Sequence, residues 1–245
     1  MFSSIDLIGQ STLLFVTSPW IQILHMSNWI RLSEKIQQDL EKRHQHFTTS
    51  TKLYIAKLHL DEISGLIPNQ KATDLMRLEK DDQGHLTAVF DGIYLQRTAK
   101  YLSELDAFFY CLRSCIDSFL WEVNLFYKLQ CRRATKVRYM IEQKHKGRKI
   151  NDLLQDLWRE PWFEYLRDYR NFVTHHKLSE MATYTEDSKL YLPSKPQSAF
   201  TIERTNESYS REEDFEVMPC IENLLRNVTE FLEKGYGLVI DDLAF

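Results

Sequence analysis

From Tyr94 to about Gln130 runs the longest apolar-periodic segment of the chain, and it dictates most of what the rest can do. Tyr101, Leu105, Phe108, Phe109, Leu112, Cys115, Ile116, Phe119, Leu120, Val123, Phe126 and Tyr127 recur at helical spacing. The stripe is broader than the single face that a surface helix buries. It therefore predicts a central helix covered on two sides. An aromatic stripe of this kind is core material before it is a stacking platform for bases.

The same periodicity predicts the neighbours. A helix from about Pro19 or Ile21 through Arg43 is carried by Met26, Trp29, Leu32, Ile36 and Leu40. A second, from about Ser50 to Leu66, aligns Leu53, Ala56, Leu60 and Ile63 and is ended by Pro68-Asn69-Gln70. Ile150–Trp158 predicts a short helix broken at Glu160-Pro161, and Pro161 suits the start of the next, Trp162–His176. A final helix runs from near Pro219 to about Lys234 and is stopped by Gly235 or Gly237. Ser210-Arg-Glu-Glu resembles a capping box. Strand signals are few: His85–Phe90, then Lys189–Leu192 and Ala199–Glu203 within the alternating stretch 183–205. The expected fold is all-α, with a small β-hairpin near 188–205. It forms one domain over 1–245, with 94–236 as core and 1–80 as a helical extension packed on it.

Composition excludes several classes of function. With 43% hydrophobic residues the chain can bury one substantial core. A net charge of -4 provides no global basic field for coating nucleic acid, though it leaves room for a local site. Cys111, Cys115, Cys131 and Cys220 form no CxxC pair and no zinc spacing, which fits buried thiols in a reducing cytoplasm. Residues 1–25 are interrupted by Asp6, Gln10 and Pro19, too broken for a membrane span and unlike a signal peptide. Glycine is scarce and no Walker pattern occurs, so no phosphate loop, cofactor site or metal cluster is expected.

Residues 132–149 stand apart. Arg132, Arg133, Lys136, Arg138, Lys144, Lys146, Arg148 and Lys149 face Glu142 as the one acid. This is a local positive patch in an acidic protein. It reads either as a solvated linker helix or as a track for phosphates, with Arg132, Arg133, Lys136 and Arg138 as the RNA-binding candidates.

The helix Trp162–His176 carries the chemistry. At about 100° per residue, Arg170, Thr174, Arg167, Asn171, His175 and Asp168 fall within an arc of roughly 160°. Phe172, Tyr165, His176, Tyr169, Trp162, Val173 and Leu166 fill the opposite side, with Phe163 and Leu178 out of place on the polar one. His176 on the aromatic arc is expected in the core. An arginine keeps its charge at cellular pH and can grip a phosphate in a bidentate fork. A histidine titrates near neutrality and can move a proton. A solvated helix face is the plain alternative.

Arg170-Asn171-x-x-x-His175, ending a helix in a mainly helical chain, resembles the signature of the HEPN superfamily (higher eukaryotes and prokaryotes nucleotide-binding domains). That signature is Arg, a polar residue, a few spacers, then His. The resemblance also covers the long aromatic-rich helix before the motif, but not the first 80 residues or 183–210. It implies a dimeric helical bundle and a metal-independent endoribonuclease of toxin–antitoxin or antiviral-defence type. Its site is a composite one at the dimer interface. By the resemblance Arg170 holds the scissile phosphate, His175 is general base or acid, and Asn171 orients one of them; Arg167, on the same polar arc, is a further RNA-binding candidate. The partners it implies are a second copy, RNA, and an antitoxin or defence protein, in the cytoplasm. HEPN toxins silenced by nucleotidylation carry a tyrosine two residues after the His. Here that position is Lys177, which argues against such control. The alternatives are a HEPN-like nucleotide- or RNA-binding or assembly module without catalysis, and a plain helical protein.

Overall fold

The structure is a computed structural model and describes residues 49–66, 76–80, 86–90, 92–175, 185–186, 189–192 and 215–242. Six helices dominate them: α1 Thr49–Leu66, α2 Gly92–Phe126, α3 Val137–Lys144, α4 Lys149–Leu157, α5 Pro161–His175 and α6 Val217–Asp242. Two small antiparallel sheets accompany them. In the first, β1 Met76–Lys80 pairs with β2 Leu86–Phe90; in the second, β3 Thr185–Glu186, β4 Lys189–Leu192 and β5 Phe215–Glu216 pair in that order. The described residues are thus all-α with small hairpins. The expected helix up to Arg43, the stop at 68–70, the strand at 199–203, the box at 210–213 and His176 lie outside them.

The expected stripe is the core of α2. Tyr101, Leu105, Phe108, Phe109, Leu112, Cys115, Ile116, Phe119, Leu120 and Val123 are all buried, and Tyr127 just beyond the helix is too. The described residues fall into two compact units that share α1, α2, α5 and α6 as continuous helices. One unit contains 49–55, 111–163 and 225–242; the other contains the described residues within 56–110 and 164–224.

In the first unit, Phe119 meets the edges of Phe231 and Tyr236, with centroids 5.5 and 5.1 Å away. Beneath the rings sits a buried carboxylate, Glu122. It accepts from the Thr49 hydroxyl at 2.7 Å, the Thr49 backbone N–H at 3.4 Å and the Tyr236 hydroxyl at 2.5 Å. Thr49 is the first residue of α1, so the carboxylate also faces the positive end of that helix. In the second unit, His59 Nδ1 of α1 meets Glu104 Oε2 of α2 at 2.6 Å, and Lys100 meets Glu62 at 2.8 Å.

Three expectations are corrected. First, α6 runs through both glycines to Asp242. Gly235 is not a stop; a Cβ there would overlap Phe119 Cζ and lie 3.1 Å from both Cε atoms. Glycine is required by the close approach of a ring, not by backbone conformation. Gly235→Ala is therefore expected to destabilise, because overpacking costs about 1–3 kcal/mol and outweighs the gain of up to about 1 kcal/mol in helix propensity. Gly65→Ala in α1, with nothing within 4 Å, should instead be neutral or stabilising. Urea unfolding of the two variants checks the contrast, and equal midpoints would remove the packing explanation.

Second, of the two readings of residues 132–149, the single linker helix is not what forms. A 3-10 turn at Ala134–Lys136 leads into α3, and Gly147, at φ 87, turns the chain into α4. Third, the strand Lys189–Leu192 forms as expected but takes earlier and later partners. Glu186 pairs with Lys189, and Leu192 pairs with Phe215. Strand β1, which is not among the strand signals of the sequence, supplies the partner of β2.

Candidate functional site

Helix α5 presents the motif from a fixed base. Leu166 and Tyr169 are buried, and the Tyr169 ring lies flat on Phe109, with centroids 3.7 Å apart and planes at 17°. Tyr165 meets Phe215 edge-on at 5.4 Å. Each aromatic pair adds roughly 1 kcal/mol beyond the area it buries and holds the helix against rotation.

Arg170 and Asn171 follow Tyr169 directly and are half-buried. Arg170 Nη1 donates to Asn171 Oδ1 at 3.2 Å, so the amide steadies one edge of the guanidinium. His175 is the last residue of the helix. Helical geometry puts its backbone about 140° around and about 7.5 Å along the axis from that of Arg170. The three motif positions thus occupy the last turn and a half of one helix.

The buried face is wider than the wheel predicts. Phe163, expected on the polar side, is fully buried, and Arg170 lies only about 20° from it on the wheel. That explains why Arg170 is half-buried. Arg167 is committed on its own helix: its Nε donates to Asp168 at 3.0 Å and its Nη2 to Glu164 at 3.3 Å. A phosphate approaching Arg167 has to compete with both carboxylates.

Behind the motif lies a polar group that is not among the candidates the sequence offers. Asp106 and Tyr101, on α2, have a buried carboxylate oxygen and a buried hydroxyl with no hydrogen-bond partner. Burial pushes the Asp106 carboxyl up to about 7. The Tyr169 hydroxyl is raised by burial first, then by Asp106, Tyr101 and Cys220. Burial also raises Cys220 to about 12. Asp106 interrupts the apolar stripe between Leu105 and Phe108, the one sequence signal that could have exposed it.

The raised carboxyl has a thermodynamic consequence. An unfolded aspartate releases its proton near 4, and this one holds it until about 7. Between those values the folded state binds more protons, so stability is full at low pH and is lost as pH rises through 7. Asp106→Asn should flatten the fall in melting temperature between pH 5 and pH 8. The same fall in both proteins would assign the pH dependence to other groups.

The four basic candidates divide. Arg132, Arg133 and Lys136 are exposed. Arg138 is half-buried, donates from Nε to Gln155 Oε1 at 2.8 Å, and lies 5.1 Å from the Trp158 ring centroid. It is a packing residue first. Of the other cations, Lys144 reaches the Leu129 carbonyl at 3.5 Å and Arg148 donates to the Asp242 carbonyl at 2.7 Å. Arg132, Arg133, Lys136 and Arg138 belong to the first unit, whereas Arg167, Arg170, Asn171 and His175 belong to the second.

Among the described residues no group of three His, Cys, Asp or Glu side chains is placed to hold a metal, and no helix is long and apolar enough to cross a membrane. No family model, curated protein or solved structure matches the chain.

Proposed function

We propose that the chain is a HEPN-type endoribonuclease that cleaves RNA without a metal, using Arg170 and His175 with Asn171 as the orienting residue. The observation that carries this reading is the Arg170–Asn171 hydrogen bond on a helix whose inner side is locked by Leu166 and Tyr169 and whose last residue is His175. In this reading the Arg170 guanidinium holds the phosphate and the His175 imidazole moves the proton of the neighbouring ribose.

The chemistry is an internal transfer. The ribose 2′-OH loses its proton to the imidazole as its oxygen bonds to the adjacent phosphorus. The bond from phosphorus to the 5′ oxygen breaks, and that oxygen takes a proton from imidazolium. Arg170 stabilises the extra negative charge on the phosphoryl oxygens at the transition state. The products are a 2′,3′-cyclic phosphate and a 5′-OH. In this reading two copies pair about a two-fold axis, so that one histidine accepts a proton while the other donates. An antitoxin or defence partner would then restrain the activity in the cytoplasm.

The test is incubation of the purified chain with single-stranded RNA in EDTA. Cleavage leaving cyclic phosphate ends, by a species that light scattering sizes as a dimer, supports the reading. Intact RNA across pH 6–9 overturns it. A non-catalytic RNA-binding module is the second reading. Glu164 and Asp168 favour it, because they offset the charge of Arg167 beside the motif. Binding without cleavage is the outcome that selects it.

A further inference from the structure

The loop leaving α2 is held in an unusual backbone. Lys128 and Gln130 both lie in the left-handed region, at φ 50 and 61, which side-chain-bearing residues seldom adopt. Asn124 holds them there. Its carbonyl accepts from the Leu129 N–H at 3.0 Å, its side-chain oxygen from the Cys131 N–H at 2.8 Å, and its amide donates to the Cys131 carbonyl at 3.3 Å. Arg132 and Arg133 follow this clamp immediately.

The segment is braced at both ends. Tyr127, at its start, donates to Asp242 Oδ2 at 2.7 Å, and Arg148, near its end, donates to the Asp242 carbonyl at 2.7 Å. The Tyr127 ring meets His145 edge-on at 5.2 Å. A strained turn, a side-chain clamp and a double anchor on one residue of α6 keep the segment in one shape.

What it holds out is specific. Arg132 and Arg133 are exposed and have no ion-pair partner among the described residues. Tyr139 is 50% exposed, with Lys136 Nζ 5.6 Å and Arg138 Cζ 5.4 Å from its ring centroid. Arg138 is itself fixed by Gln155 and Trp158, so the ring stands on a rigid support. Tyr139 is the one exposed large aromatic or apolar side chain of 127–149.

We propose that this segment is a single-stranded RNA platform, with Arg132, Arg133 and Lys136 on phosphates and the Tyr139 ring stacked on a base. The exposed Arg132, Arg133 and Lys136, in a segment whose one acid is Glu142, select a polyanion although the chain's net charge is -4. The half-exposed ring among cations selects an unpaired base, because a duplex keeps its bases stacked inside. A lone tyrosine provides no apolar anchor for a lipid surface. The choice of RNA rests on the cleavage reading; the platform itself does not.

The experiment uses full-length chain carrying His175→Ala, so that RNA survives, and a fluorescein-labelled single-stranded 12-nucleotide RNA followed by anisotropy. Tyr139→Ala should weaken binding about 10-fold, as loss of one stacked base does. Tyr139→Phe should bind like its parent, because the ring remains. Replacing Arg132, Arg133 and Lys136 by Gln should flatten the slope of log K against log salt by about 2, at about 0.7 per phosphate contact. Helical circular dichroism establishes that each variant is folded. Unchanged affinity in folded Tyr139→Ala and in the triple variant overturns the platform. Equal binding of a duplex, or of phosphatidylserine vesicles, that ignores Tyr139 overturns it as well. Binding that responds to these variants, with no cleavage by the chain bearing His175, supports the platform and removes only the catalytic reading.

Discussion

Replacing His175 or Arg170 by alanine is expected to slow RNA cleavage by about 100- to 1000-fold each, the range seen when a proton carrier or a charge-stabilising donor is lost. The two losses differ in how they are rescued. Lysine at position 170 keeps the charge but not the planar fork that Asn171 steadies from one side, so Arg170→Lys should remain slow. Asn171→Ala removes one hydrogen bond worth about 1 kcal/mol and should cost only about fivefold. The order Arg170 and His175 far below Asn171, and Asn171 slightly below the starting protein, is the signature of a helix-end site with one orienting residue. Rates within threefold of the starting protein in both alanine variants would sink it. Because Phe163, Leu166 and Tyr169 are the buried residues of α5 and Arg170 is only half-buried, the helical content of Arg170→Ala should change little.

What was legible in the sequence and what was not divide along a physical line. Helices α1, α2, α4 and α5 were legible because their apolar residues recur at the period of a single helix, which the chain alone specifies. Gly235 was misread because helix propensity treats a late glycine as a stop, while the deciding contact is a ring on a helix more than a hundred residues earlier. Strand β1, Met-Arg-Leu-Glu-Lys, carries three charges in five residues and becomes a strand through pairing with β2, which no local pattern displays. Phe163 shows the limit of a helical wheel: the wheel gives angles, but how wide the buried arc is depends on the packing around it. At the motif the sequence specified residue types and helix. It did not specify that Arg167 would be held by Glu164 and Asp168, or that Asp106 would lie unpaired behind Tyr169. Tyr139 is masked in the sequence by the charges around it, and its exposure beside a fixed arginine is a property of the packing.

Glu122 is the clearest case of a residue that tertiary structure alone explains, and it carries the largest expected effect on stability. Glu122→Ala should destabilise the chain by about 3–4 kcal/mol, because it leaves buried donors without an acceptor at about 1–3 kcal/mol each and opens space in the core. The donors are the Thr49 hydroxyl and N–H at the start of α1 and the Tyr236 hydroxyl on α6, which the carboxylate ties to α2. Tyr236→Phe alone should cost about 1 kcal/mol, the net worth of one hydrogen bond. The double variant is the sharper test. Once the carboxylate is gone, the Tyr236 hydroxyl keeps the Thr49 hydroxyl as its neighbour but loses its charged acceptor, so removing it should cost less than in the starting protein, and the two changes should not add. Urea unfolding midpoints of the two single variants and the double variant measure this directly. Strict additivity would mean that the 2.5 Å contact carries no coupling, and a cost for Glu122→Ala within about 0.5 kcal/mol would class it with ordinary surface changes. The coupling matters beyond stability, because α2 continues from Glu122 straight into Asn124 and the clamped loop ahead of Arg132. A loosened Glu122 should therefore weaken the rigidity of the basic segment before it unfolds the chain, which hydrogen exchange at Leu129 and Cys131 would detect.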